Sequence, residues 1–197
     1  MSRRKLDRSF FEMPTLTVAR SLLGNYLVHS CPEGRVVGRI VETEAYVGFE
    51  DLASHAARGK TLRNGVMFGP AGYAYVYMVY GMHHCLNIVT ERDGFPAAAL
   101  VRAVEPVAGI DVMRQRRHVV EDRLLTNGPA KLCEAFGIDR SLNGIDVCGR
   151  VLFVEQNRVR THGVVASKRV GVDYAGAWKD RLWRFSIEHN GYVSRMP

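Results

Sequence analysis

Hydrophobic and aromatic residues alternate with their neighbours from Tyr73 to Val79, the alternation breaks at Gly81, and it resumes from Cys85 to Val89. Two strand-like runs around a glycine predict a β-hairpin, here with Tyr80 and Met82 at its tip. Upstream, Leu16, Ala19, Leu22 and Leu23 share one side of a helical period that Pro14-Thr15 opens and Gly24 closes. Tyr26 to His29 reads as a strand, Pro32-Glu33-Gly34 as a turn, and Arg35 to Tyr46 as a second, longer strand. Residues 47–72, rich in glycine and charge, form a long loop with a helical turn at Asp51 to Ala57. Loops of that length tend to be functional when ordered. The unbroken apolar run Ala97 to Val104 is a buried strand, and Glu105-Pro106 leads into a helix ending near Arg117. Pro129 opens another helix, a first-turn position that suits its fixed φ, and this one stops near Gly137. Val151 to Glu155, Val164 to Val170 and Leu182 to Ile187 read as further strands. With no repeat, linker or low-complexity tract, these elements predict one mixed α/β (α+β) domain over residues 1–197, built on an antiparallel sheet with a protruding hairpin.

Charge changes the picture first. A net charge of +7 and an isoelectric point near 9.5 favour a polyanionic partner, nucleic acid before anionic membrane. The bland alternative is a merely basic soluble protein. Cys31, Cys85, Cys133 and Cys148 lie far apart with no C-x-x-C pair, which argues against both a zinc module and a disulfide framework. Free thiols in a reducing compartment are expected. His83-His84-Cys85 makes a poor metal site, because adjacent residues of a strand point to opposite faces. No apolar run reaches the length of a membrane span. Arg3-Arg4 is followed by no apolar stretch, so an export signal is not expected. The protein is expected where its nucleic acid is: the cytoplasm and nucleoid of a bacterium or the nucleus of a eukaryote.

Candidate chemistry lies in two segments. In the strand Ile40-Val-Glu-Thr-Glu-Ala-Tyr46, alternation points Ile40, Glu42, Glu44 and Tyr46 one way. That face is either a solvated sheet surface or the wall of a ligand cleft, where a carboxylate beside aromatic rings acts as a general base on water. In the hairpin, a turn centred on Met82 places Tyr77 opposite Asn87. This is either an ordinary cross-strand pair or the start of a nucleobase pocket, in which one group stacks and the other reads the edge. Tyr80 at the tip of a basic protein suits a wedge between base steps. Arg102 stands inside an apolar strand, where an unpaired charge is expensive, so it needs a carboxylate such as Glu44 or a phosphate as partner. Gly128-Pro129 with Lys131 is either a plain capped helix or a phosphate contact. His55, taken alone, reads as a solvated loop residue. Arg114, Arg116 and Arg117 form a basic cluster that adds to the charge argument.

Taken together, the segments resemble the alkyladenine (3-methyladenine) DNA glycosylase family. The resemblance is carried by Gly38-Arg-Ile-Val-Glu-Thr-Glu-Ala-Tyr46, Glu50-Asp51 with His55, Arg63-Asn64 with Met67-Phe68, and Tyr75-Val-Tyr-Met-Val-Tyr-Gly-Met82 with Asn87. It continues through Arg102-Ala-Val-Glu-Pro106, Leu125-Thr-Asn-Gly-Pro-Ala-Lys-Leu-Cys133, Arg169-Val-Gly-Val172 and Trp183-Arg-Phe185, in the family's order over nearly the whole chain. It implies a compact domain around a curved antiparallel sheet. The implied activity is monofunctional: alkylated or deaminated purines are flipped from duplex DNA and their N-glycosidic bond is hydrolysed, without metal or organic cofactor. It implies that Glu44 activates the attacking water, with Arg102 and the Val170 carbonyl helping to hold that water. Tyr46 and His55 would line one side of the flipped base and Tyr77 the other, with Asn87 disfavouring the amino group of guanine. Tyr80 would enter the duplex; Met82 shares the hairpin tip with it, and the helix start leaves Gly128 and Lys131 as the candidate contacts to the DNA backbone. The partner is damaged double-stranded DNA, and a monomer is expected. Departures from the family pattern are a shorter loop from His55 to Thr61, Leu62 in place of a proline, a more polar return at His83-His84, and a longer loop from Thr90 to Ala97. A glycosylase that forms a Schiff base through lysine and a non-catalytic DNA-binding module are the rival readings.

Overall fold

The computed structural model describes residues 3–159 and 161–195. A short α1 (Arg8–Phe11) and α2 (Thr15–Leu22) precede strands β1 (Tyr26–Cys31) and β2 (Gly34–Val47). The hairpin is β3 (Ala74–Val79) and β4 (His83–Val89). After it come β5 (Ala97–Ala108), α3 (Ile110–Arg117), α4 (Pro129–Phe136), β6 (Leu152–Glu155), β7 (Val164–Ser167) and β8 (Arg184–Ile187). The paired strands are all antiparallel and form one sheet of order β3-β4-β5-β2-β1-β6. β2 is long enough to serve two partners on one edge. β1 pairs with its first half, β8 pairs with Glu42 to Glu44, and β5 runs along the opposite edge.

One face of the sheet carries the main core. Leu86, Ile88, Ala99 and Val101 meet Leu22, Leu132 and Phe136 there, all fully or almost fully buried. Each large aliphatic side chain so buried contributes about 1.5–3 kcal/mol. The alternate residues of the same strands, Tyr75, Asn87, Leu100 and Arg102, line a cavity instead. Period-two alternation therefore sorts the hairpin and β5 into a structural side and a chemical side.

Alternation fails at one place, and the failure matters. Ile40 joins the main core, and so does Ala45, although the two differ in parity; Thr43 donates to the carbonyl of Ala19 in α2 at 2.8 Å. Ile40 thus does not share a face with Glu42, Glu44 and Tyr46, contrary to the strand pattern. The cause is a pair of compensating register shifts: Ile40 pairs with Val104, Glu42 with Ala103 and Thr43 with Val101. Val41 and Arg102 are the extra residues, one on each strand. A bulge re-aims side chains locally: Arg102 keeps the face of Leu100, while Val104 beyond it returns to the core beside Val101.

Other expectations shift by packing. α2 turns Thr15, Val18, Ala19 and Leu22 inward and leaves Leu16 37% exposed, because the Thr15 hydroxyl is drawn to Thr90 at 2.9 Å. β5 runs on through Pro106 to Ala108, so the helix that ends at Arg117 as expected starts only at Ile110. The proline is tolerated where the ladder slips, with Gly38 opposite Pro106 and Val37 opposite Ala108. In the long loop the helical turn is at His55–Arg58, and a second one forms at Gly65–Phe68. β7 ends at Ser167, and the residues after it leave the sheet. The basic cluster is largely neutralised: Arg114 pairs with Asp111 and Asp122, Arg116 with Glu33, and Arg117 with Glu134. Among the described residues no helix is long and apolar enough to cross a membrane.

Candidate active site

Glu44 lies in β2 where β5 flanks one edge and β8 the other, and it is fully buried. A carboxylate can stay ionised there only if donors satisfy its oxygens. The Val170 amide donates to Oε1 at 2.8 Å, the Tyr46 hydroxyl donates to Oε2 at 2.9 Å, and Arg102 Nη1 lies 3.3 Å from Oε2. A carboxylate has about four lone-pair sites, so two hydrogen bonds and one ion pair leave capacity for a further donor, such as a water. The Val170 contact to Glu44 runs through its N–H, which leaves its carbonyl free of that carboxylate.

Arg102 is held from both sides of the bulge. Its Nε donates to Glu42 at 3.0 Å, and Arg184 Nη1 donates to the same Glu42 oxygen at 3.0 Å. Two buried carboxylates and two buried guanidiniums therefore balance in charge. Burial opposes the charge of Arg102, but Glu44 and Glu42 outweigh it and hold the guanidinium firmly protonated.

A cavity of about 450 Å³ opens over Arg102 and Tyr46, with Glu44 behind them and outside its lining. That falls in the usual small-molecule range of about 300–1,000 Å³. Tyr46, His55, Tyr77, Asn87, Arg102 and Val170 all line it. Tyr77 faces Cys85 across the hairpin, and Asn87 faces Tyr75, not Tyr77. The expected register was two residues off because the turn centres on Gly81, whose φ of +71° takes the left-handed conformation that glycine allows. Tyr77 still reaches the cavity, since a two-residue slip keeps every side chain on its face.

The aromatic wall is interlocked. His55 Nδ1 and the Tyr75 hydroxyl lie 2.9 Å apart, and the His55 ring meets Tyr77 edge-on with centroids at 4.5 Å. That contact leaves no room for a third ring between His55 and Tyr77 as they stand. Partial burial, then the nearby charge of Arg63, lowers the pKa of His55 below 6.5. Burial raises Tyr75 to about 12 and raises Tyr77 and Tyr46 strongly, so these phenols keep their protons at neutral pH.

Tyr80 and Met82 project from the hairpin tip, 88% and 70% exposed. Tyr80 has a φ of 53°, a conformation uncommon for any residue but glycine. Arg63 ties the long loop to the hairpin through a 2.7 Å bond to the Met78 carbonyl and lies 5.6 Å over the Tyr77 ring. Gly128 is the N-cap of α4, whose Pro129 and Ala130 reach the cavity. Lys131 binds Asn127 at 2.9 Å and lies, like Gly128, outside the cavity lining.

A family model described as methylpurine-DNA glycosylase matches residues 9–191. The chain belongs to this family. It is 51% identical over 194 residues to a protein of Anaeromyxobacter sp. (strain Fw109-5), covering 98% of this chain and 94% of that one. A protein of Methanocella arvoryzae is 50% identical over 191 residues, 96% of each chain, and one of Legionella pneumophila (strain Corby) is 45% identical over 193 residues, 98% and 99%. All three carry the name "Putative 3-methyladenine DNA glycosylase". The protein is accordingly a DNA glycosylase, a hydrolase of N-glycosidic bonds.

Three residues that build the glycosylase site, Asp51, Arg169 and Arg184, stand in the family-like segments but have no role assigned from the sequence. Asp51 and Arg169 form a fully buried bidentate pair at 2.6 and 2.8 Å, and Asp51 also accepts from the amides of Val47 and Ala53. Arg169 further donates to the Ala45 carbonyl and lies 4.8 Å over the Tyr46 ring. This clamp fixes the neighbouring Val170 against Glu44. The signal was available for Arg184, which sits between Trp183 and Phe185: the argument that singled out Arg102 in an apolar strand applies to it equally.

Proposed function

We propose that this glycosylase flips alkylated purines, and after them deaminated ones, out of duplex DNA into the 450 Å³ cavity and hydrolyses the bond to the sugar through Glu44. The observation that carries the reading is the buried Glu44 carboxylate, donor-held yet with acceptor capacity left, beside an aromatic cavity under an exposed hairpin tip. Basic charge brings the protein to the phosphate backbone. Tyr80, with Met82 beside it, enters the stack and fills the space of the departed base. Gly128 and Lys131 meet the backbone near the mouth of the cavity. Flipping costs a few kcal/mol and is cheapest for a mispaired lesion, which contributes selectivity.

In the chemical step the C1′–N bond breaks with its electron pair going to the base, and positive charge builds on the sugar. Water attacks C1′, and Glu44 takes its proton. Alkylated purines are already cationic and leave as neutral molecules, whereas hypoxanthine needs a proton delivered to it. Tyr46 and Tyr77 supply flat faces for the base, and Asn87 reads its edge.

The test is release of free 3-methyladenine from methylated duplex DNA with enzyme in excess. Release that leaves an intact, alkali-labile abasic site supports a monofunctional glycosylase. Strand cleavage with a borohydride-trapped protein–DNA adduct would replace the reading with a lyase. Binding without release would leave a damage-sensing binder.

A further inference from the structure

The donors of Arg102 are shared among three acceptors, and one of them comes from the last residues of the chain. Nε donates to Glu42 at 3.0 Å and Nη2 to the Ser194 hydroxyl at 3.2 Å, while Nη1 lies 3.3 Å from Glu44 as an ion pair. Glu42 is fully buried and both its oxygens are engaged: Oε1 accepts from Arg102 and Arg184, and Oε2 accepts from the Ser194 amide at 2.7 Å. Arg184 closes the ring by donating to the Arg195 carbonyl at 2.8 Å and to the Lys168 carbonyl at 2.9 Å. The segment ending at Arg195 therefore holds Oε2 of Glu42 through the Ser194 amide and steadies Arg184, which binds Oε1, through the Arg195 carbonyl, beside the guanidinium that touches Glu44.

An arginine fork pairs best with a carboxylate through two parallel bonds. Left to itself, Arg102 would turn that fork onto Glu44. Doing so would fill the remaining lone-pair site of Glu44 and tie up its charge, both at the expense of a water. Glu42 and Ser194 prevent this by engaging Nε and Nη2, so that Arg102 meets Glu44 with Nη1 alone. We infer that Glu42 and Ser194 are positioning residues of the glycosylase: the C-terminal segment holds Arg102 in a single-ended contact and thereby keeps Glu44 open to water. The inference rests on the role of Glu44 given above.

Single-turnover kinetics separate positioning from folding. With enzyme in excess over methylated duplex, a misfolded fraction lowers the amount of active enzyme, whereas misplacement of Arg102 lowers the rate constant of base release. Ser194→Ala keeps the amide bond to Glu42 and loses the hydroxyl, and a chain stopped after Val193 loses both. The rate constant should fall by about 5-fold in the first, the worth of one hydrogen bond, and by about 100-fold in the second, the low end of a lost general base. Ser194→Thr, which keeps a hydroxyl, should restore the rate. Lesion-duplex affinity and melting midpoint should stay near those of the parent in Ser194→Ala. Wild-type rate constants in both Ser194→Ala and the shortened chain would overturn the inference while leaving the glycosylase reading intact. Failure of the unaltered protein to release base would instead overturn that reading.

Discussion

Glu44→Gln removes a charge from the site and almost no volume. The carboxylate accepts from Val170 and Tyr46 at 2.8 and 2.9 Å and is ion-paired with Arg102 at 3.3 Å. With its carbonyl kept on the Val170 amide, a glutamine would present its NH₂ to Tyr46, which can turn its hydroxyl to accept, and to Arg102, which cannot. Arg102 would still hold Glu42 at 3.0 Å and Ser194 at 3.2 Å, so no guanidinium is stranded. The stability cost is then that of one charge-assisted hydrogen bond, about 1.5–3 kcal/mol. For a chain of this size that lowers the melting midpoint by roughly 3–12 °C. The chemical cost is larger: losing a general base slows the step about 10²–10⁴-fold, or about 3–5 kcal/mol in the barrier. The assay is base release from methylated duplex at saturating enzyme, alongside Kd for a lesion duplex by fluorescence anisotropy. The rate constant should collapse while Kd holds. A loss of less than about 10-fold, or 1.4 kcal/mol, would refute Glu44 as the base. A Kd that weakened in step with the rate would show that Glu44 serves binding.

Tyr80→Ala should weaken lesion-duplex binding by about 1–3 kcal/mol, the worth of one stacked ring, and undamaged-duplex binding by less; equal losses on the two duplexes would sink the wedge. Asp51→Asn strands Arg169, 0% exposed, without its anion; the expected cost is about 3–5 kcal/mol, a fall of roughly 6–20 °C in the melting midpoint, and an unchanged melt would dismiss the clamp. His55 has a lowered pKa, caused by partial burial and then by Arg63, so the unfolded chain binds its proton more readily than the folded one. Its contribution is present above pH 6.5 and is lost as pH falls through 6.5 toward the folded value. The pH dependence of the melting midpoint below 6.5 should therefore flatten in His55→Gln, and parallel curves would refute the assignment.

Much of the site was legible locally. Period-two patterning placed the hairpin, its exposed tip and the long β2 strand, because one buried face per strand writes itself into the order of residues. The proline at the start of α4 was legible for the same reason, since its ring fixes φ for a first turn. Where the pattern misled, a long-range constraint intervened. Ile40 was assigned to the face of Glu42, but the double register shift with β5 separates them. Tyr77 was set opposite Asn87, but the left-handed turn at Gly81 sets the pairing two residues away. The helix after Pro106 forms and ends at Arg117, but it starts only at Ile110 because β2 offers an edge for β5 to follow through Ala108.

By itself, then, the sequence determined which residues could do chemistry: a pair of glutamates in one strand, an arginine that needed a partner, aromatic rings around a hairpin, and surplus positive charge. It did so because side-chain type and spacing are local properties. Which glutamate meets which arginine, and how many acceptor sites each keeps, was decided by tertiary structure alone. The Val170 amide reaches Glu44 across 126 positions of chain and the Ser194 amide reaches Glu42 across 152. The state of a buried carboxylate is the sum of the donors the fold brings to it, and no window of sequence contains them.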